Sequence, residues 1–377
     1  MGTRSATLGV NPEPRLRSLD AFRGLTIAGM LLVNNPGSWD HVYPPLDHAE
    51  WNGWTPTDLI FPFFLFIVGV ALAMSLARRR DRGASRSELL RKIVIRSLVI
   101  IAVGILLNGF PRYDLATLRL PGVLQRIGLV YLVSASVWVL LPLRAVVALV
   151  LVLLSGYWAL MTLVPVPGFG PGHLEPVGNL AQYLDQLLLR GHMWRPEWDP
   201  EGLLSTMPAI ATCLLGALTG EWLQHSRPTA RVAAILLLAG VALTAAGLGW
   251  GHWFPINKSL WTSSYVVFTA GAALILLAAC YWLIETGGVE GWARPAYVFG
   301  VNPLLAFVGS GLMARILGRM QVGSGEGAIP LQRWLYERLC ASWAGPLNGS
   351  LVYAMGFVGL WLLLMWPVYR RGWRIRA

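Results

Sequence analysis

Residues 59–77 run for nineteen positions without a charge. An α-helix rises about 1.5 Å per residue, so this stretch is roughly what a helix needs to cross the hydrocarbon core of a bilayer. Lipid satisfies no backbone N–H or C=O, so a spanning segment must bond itself as a helix or close into a barrel. Nine further apolar runs follow the same pattern. The predicted spans are 19–35, 56–77, 92–110, 121–141, 145–164, 201–224, 231–250, 260–284, 295–317 and 350–369. The composition agrees. Of 377 residues, 13% are charged and 55% hydrophobic, and that charged share is about half of a soluble domain's.

The fold class expected is therefore all-α: one polytopic transmembrane bundle over 1–377 with ten spans, or eleven if the segment after the ninth holds one more. The net charge of +11 does not point to nucleic acid, because the arginines sit between apolar runs, most densely in "ARRRDRGASRSELLRK". Placing both termini in the cytoplasm puts most of the basic residues on the inside. Residues 1–17 then form a cytoplasmic tail, and 36–55, 165–200, 250–259 and 318–349 are external loops. Arg315, Arg319, Arg333 and Arg338 in or beside the last of these run against the rule. The first residues do not read as a cleavable signal peptide.

Three external loops carry aromatic and polar residues together: "HAEWNGWTPTD", "HMWRPEWDPEG" and "WGHWFPINKSLW". Tryptophan at an interface is ordinary anchoring. Beside Asn, Asp, His and Lys it also suits sugar binding. His48 is the leading chemical candidate, since an imidazole serves near neutrality as a general base or as an acyl-accepting nucleophile. Asp47, Asp40 or Asp58 is positioned to orient it. Capping alone explains Asp58, because "TPTD" places Thr55, Pro56 and Asp58 as a helix start. "DPEG" predicts the same for Asp199 at the head of the sixth span. His41, His173, His192 and His252 are external and rank below His48, while His225 falls inside.

Polar groups within spans are costly in lipid unless partnered. Asp20 and Arg23 share a helix face. Gln125 and Arg126 lie inside the fourth span, toward the outer side. Asn34 and Asn35 end the first. Asn302 precedes Pro303, which breaks the ladder and frees N–H groups at a half-helix start. Cys213, Cys280 and Cys340 form no spaced motif, so neither a disulfide framework nor a metal site is expected. No phosphate-binding glycine loop or Gly-x-Ser-x-Gly elbow occurs.

"LDAFRGLTIAGMLLVNNPG", "HAEWNGWTPTDLIFPFFLFIVG", "GVLQRIGLVYL", "WDPEGLLSTMPAIATCLLGALTGEWL", "INKSLWTSSYVVFTAGAALILLAACYWLIE" and "VFGVNPLLAFV" together resemble the membrane acyltransferase family of heparan-alpha-glucosaminide N-acetyltransferase and its bacterial relatives. The resemblance implies a multi-helix enzyme of the bacterial inner membrane. It moves an acetyl group from cytoplasmic acetyl-CoA to an amine or hydroxyl of an external sugar or glycan. His48 matches the family's catalytic histidine and Asn34 its asparagine at the end of the first span. Arg23, Trp51, Asn52, Gln125, Arg126, Asp199, Asn257, Lys258, Trp261 and Asn302 are carried as pocket candidates. The loop from Asn34 to His48 is longer here and the large luminal domain of the animal enzyme is absent, so heparan sulfate is not the expected acceptor. The partners implied are lipid, acetyl-CoA and a glycan, with a homodimer left open. A transporter of a sugar or glycan intermediate is the competing reading.

Overall fold

The computed structural model describes residues 16–373. Most of the predicted tail over 1–17, with Arg4 and Arg15, lies outside the described residues, as do Arg374 and Arg376. In chain order the helices are α1 (Arg17–Asn34), α2 (Ile60–Asp81), α3 (Arg86–Gly109), α4 (Val123–Leu140), α5 (Leu143–Leu163), α6 (Leu180–Leu189), α7 (Thr206–Gln224), α8 (Ala230–Trp250), α9 (Ser263–Tyr281), α10 (Arg294–Val301), α11 (Pro303–Leu317), α12 (Leu331–Leu335), α13 (Ser342–Ala344) and α14 (Pro346–Arg370). A hairpin of two-residue strands, β1 (Gln321–Val322) and β2 (Ile329–Pro330), lies between α11 and α12.

Among the described residues six helices are long and apolar enough to cross a membrane: α2, α4, α5, α8, α9 and α14. The pair α10 and α11 adds a seventh if its 74° bend is counted within one span. The break falls at Asn302, where Pro303 removes a backbone donor. Helices α1, α3 and α7 have 18, 24 and 19 residues, but α1 and α3 carry charges in their first turns and α7 is diluted by polar and small residues. The protein is thus an integral membrane helical bundle.

Burial sorts the spans into two rings. The apolar windows of α2, α4 and α9 are 56%, 56% and 61% buried, against 28%, 28% and 22% for α5, α8 and α14. The first group forms the centre and the second turns most of its surface outward. Small residues let the central backbones touch, as is usual where lipid offers no hydrophobic drive between helices. A Cβ on Gly69 of α2 would fall 1.8 Å from the Cys213 carbonyl oxygen of α7, and one on Gly216 of α7 would fall 2.0 Å from that of Phe66. Helices α1 and α10 meet the same way, through Gly24 against Ala296 and Gly300 against Asp20.

One predicted boundary needs correction. The sixth span begins at Thr206 with Ser205 as its cap, so Asp199 does not open that helix. The loop 165–200 contains α6, whose N-cap Asn179 accepts from the Gln182 N–H at 2.8 Å. Residues 318–349 hold the hairpin, α12, a π-turn over Tyr336–Ala341 and α13, and no piece of this segment is long enough to cross.

Candidate functional site

The site begins at the N-terminal end of α2. Residues Pro56–Leu59 make a 3-10 turn leading into the helix, and its carboxylate divides its two oxygens between two tasks. Asp58 Oδ2 accepts from the backbone N–H groups of Thr55 (3.1 Å) and Ala49 (3.0 Å) and from the Thr55 hydroxyl (3.2 Å). That is the capping role. Asp58 Oδ1 faces His48 Nδ1 at 2.7 Å and Lys258 Nζ at 3.2 Å. A carboxylate only accepts, so the imidazole proton belongs on Nδ1. Nε2 is left with its lone pair, on a side chain that is 42% exposed.

Lys258 arrives from the turn between α8 and α9, 210 residues away in sequence, and its Nζ lies 2.9 Å from His48 Nδ1 and 3.4 Å from Nε2. Burial pushes the Lys258 amine below lysine's usual range, and the Asp58 carboxylate works against that shift. The turn that carries it is firmly set. Asn257 Oδ1 accepts from the Leu260 N–H at 2.8 Å, and Trp261 adopts a positive φ of 53°. That conformation is unfavourable for a bulky residue and persists only where packing dictates it. Trp261 is buried edge-on against Phe61 and Tyr265, with its indole N–H on the Thr212 hydroxyl at 3.1 Å. Two cross-links tie this turn to the histidine loop: Asn257 Nδ2 donates to Asn52 Oδ1 (3.1 Å) and Gly53 N–H to the Ile256 carbonyl (2.8 Å). Below them the Tyr265 hydroxyl donates to the Asp58 carbonyl at 2.5 Å.

Against this geometry the comparisons are clear. The family model described as heparan-alpha-glucosaminide N-acetyltransferase, catalytic, matches residues 15–242. The chain belongs to that family. Heparan-alpha-glucosaminide N-acetyltransferase of Homo sapiens is 34% identical over 78% of this chain and 52% of its own length. The Mus musculus protein of the same name is 32% identical over 78% and 53%. The chain therefore spans about half the length of the curated relatives it matches. The family-model match includes His48, Asp58, Gln125, Arg126 and Asp199; Lys258 lies beyond it.

The other predicted residues fall into distinct places. Asp47 Oδ1 accepts from the backbone N–H of His48 at 2.8 Å, so Asp58 rather than Asp47 orients the ring. Asn34 is exposed at the last residue of α1 and, among the described residues, enters none of the hydrogen bonds around His48. Asn52 and Asn257 bond to each other, which makes them a clasp between loops. Trp261 is 1% exposed and offers no face to a ligand; it is the floor under the site. Asp199 is locked in a bidentate pair with Arg119, at 2.8 and 2.7 Å, and also accepts from the Trp194 and Glu201 N–H groups. Arg126 is fully buried over the Trp261 ring, and its Nη2 donates to the Gly202 carbonyl (3.1 Å) and the Ser205 hydroxyl (2.5 Å). Its Nε and Nη1, and Gln125 Nε2, have no acceptor among the described residues.

Arg23 and Asn302 lie elsewhere, near the start of α1: Arg23 Nη1 donates to Asp20 Oδ1 and to the Gly300 carbonyl, and Asn302 Nδ2 to the Trp373 carbonyl at 2.8 Å. They do not join His48. At the same end of the bundle a cavity of about 540 Å³ is lined by residues that include Arg78, Arg80, Gln224, His225 and Tyr281. From Ile60 to Arg80 α2 rises about 30 Å, so cavity and histidine occupy opposite ends of one helix.

Sequence reasoning missed Tyr265, the Arg119–Asp199–Glu201 network and Asp185 of α6, which accepts from the Leu203 N–H at 2.9 Å. Asp185 is buried, and that burial raises its carboxyl to about 6. A signal for Arg119 existed: it stands before "LPGVLQR" on a side expected to be poor in basic residues.

Proposed function

We propose that this protein is a transmembrane acetyltransferase that takes its acetyl group from cytoplasmic acetyl-CoA and delivers it to an amine or hydroxyl of a sugar on the external face of a bacterial plasma membrane. The reading extends the bundle to ten spans, with α1, α3, α7 and the bent pair crossing and both termini cytoplasmic. The observation that carries it is the His48–Asp58 contact at 2.7 Å, which orients the imidazole at the end of α2 opposite the arginines, with Lys258 Nζ 3.4 Å from its Nε2. Family membership supports the chemistry, and the cavity beside Arg78 and Arg80 supports donor entry from the inner face, where guanidinium groups suit phosphates.

The chain's own residues account for the steps. Nε2 attacks the thioester carbonyl, the C–S bond breaks and the thiolate leaves, while Asp58 holds the Nδ1 proton and stabilises the cationic acyl-imidazole. The sugar amine then attacks the acyl carbon, the C–Nε2 bond breaks to restore the neutral imidazole, and the proton the amine loses neutralises the thiolate through solvent. In the direct alternative Nε2 removes the amine proton while the amine attacks the thioester. Mass measurement of intact protein mixed with acetyl-CoA and no acceptor separates these routes: covalent acetylation that is absent in His48→Ala supports the first. Thiol release on adding a sugar amine tests the whole reading. His48→Ala abolishes it if the reading holds, and normal release by that variant refutes it.

A further inference from the structure

Three tryptophans run outward from the histidine loop. Trp51 follows His48 by three positions, and its ring meets Trp198 edge-on at 5.3 Å; Trp198 meets Trp194 likewise at 5.7 Å. The Arg195 guanidinium lies 4.7 Å from the Trp194 ring centre and 5.7 Å from that of Trp198. A second link places this strip beside the site, because Glu201 of the same loop is among the charges acting on Lys258.

The loop is held in place by polar contacts that its exposure does not require. Gln186 Nε2 donates to the Pro196 and Glu197 carbonyls at 2.5 and 2.7 Å, and Gln182 Nε2 to that of Glu197 at 3.2 Å. The Trp194 N–H donates to Asp199 at 2.7 Å, and the Trp51 indole to the Leu174 carbonyl at 2.9 Å. Yet Trp194 remains 51% exposed. Membrane anchoring needs only an indole that reaches the headgroups and no aromatic neighbour; Trp253 and Trp343, at 76% and 70% exposed, stand without one among the described residues. Rigid aromatic surface at low entropic cost is what recognition sites use. A pyranose offers such rings a face of C–H bonds, with hydroxyls at its rim for the neighbouring polar groups.

We propose that Trp51, Trp198, Trp194 and Arg195 form an acceptor subsite for the sugar units that follow the one acetylated, so that the preferred acceptor is an oligosaccharide. This rests on the acetyltransferase reading. The test uses the full protein in detergent with acetyl-CoA and two acceptors. One is glucosamine. The other is a trisaccharide with glucosamine at its non-reducing end followed by two N-acetylglucosamine units. Wild type favours the trisaccharide in kcat/KM by about threefold to tenfold, the scale of an aromatic contact or two. In Trp194→Ala and Arg195→Ala that ratio falls toward one. Without donor, saturation-transfer NMR shows the second and third sugars contacting wild type and not the variants. Equal efficiency for both acceptors in wild type, or variants that lower both by one factor, overturns the subsite and leaves the enzyme reading intact. Sugar contact that the variants lose, with no acetyl transfer by wild type, leaves a sugar-binding strip without an acceptor role and refutes the enzyme reading.

Discussion

Asp58 divides its two oxygens between capping a turn and orienting an imidazole. Oδ2 holds the turn through Thr55 and Ala49, and Oδ1 holds the ring of His48. Replacing it by Asn keeps one oxygen for the cap but presents the other position as N–H₂ to Nδ1, which favours the wrong tautomer. Asp58→Asn therefore lowers the rate by about 10³-fold or more, on the scale of tautomer errors in oriented histidines. The melting temperature also falls, because the buried Lys258 loses the charge that faces it, so the rate is compared on folded protein. A rate within a few-fold of wild type in a folded Asp58→Asn protein contradicts the assigned role. Asp185 offers a second test at this scale. Its folded carboxyl is raised to about 6 from the model-peptide value of 3.8, so between these values the folded state binds the proton more tightly. The sign follows: its contribution to stability falls as pH rises from about 4 to 6. Asp185→Asn, which keeps an acceptor for the Leu203 N–H, gains melting temperature relative to wild type across that interval and holds a constant difference above about pH 7. A difference that does not vary with pH rules this out.

Elements meet through small residues, and their substitution reports which contacts are closest. Gly216→Ala in α7 forces a methyl against the Phe66 carbonyl of α2 and costs about 1–3 kcal/mol, as overpacking does. Gly249→Ala in α8 meets nothing within 4 Å and removes a helix-interior glycine, so it is neutral or stabilising by up to about 1 kcal/mol. Thermal unfolding in one detergent ranks the pair, and a Gly249→Ala protein less stable than Gly216→Ala refutes the packing described for α2 and α7. Elements are also where the sequence was easiest and hardest to read. Long apolar runs located the helical segments within a few residues, because in lipid the backbone leaves little choice of structure. The start of α7 misled, since "DPEG" has the residues of a helix cap but Asp199 is held by Arg119, a partner 80 residues away. His48 and Asp58 lie close in sequence and were both visible. Lys258 was not visible as their neighbour, because only the packing of α2 against α9 and the turn before it brings the two loops together.

The whole molecule is asymmetric along the axis of α2. Arginines and the 540 Å³ cavity stand at one end of α2, and His48, Asp58, Lys258 and the tryptophan strip at the other. That polarity is the structural basis for reading the protein as an enzyme that works across a bilayer rather than on one face of it. Its most direct test is sided. Sealed vesicles carrying the protein with its arginine-rich end inward are loaded with labelled acetyl-CoA, and a glucosamine-bearing acceptor is added outside. The account predicts labelled acetyl on the external acceptor with wild type and none with His48→Ala, at equal protein content and equal vesicle integrity. Equal labelling by the two proteins, or transfer only when donor and acceptor share a compartment, contradicts it.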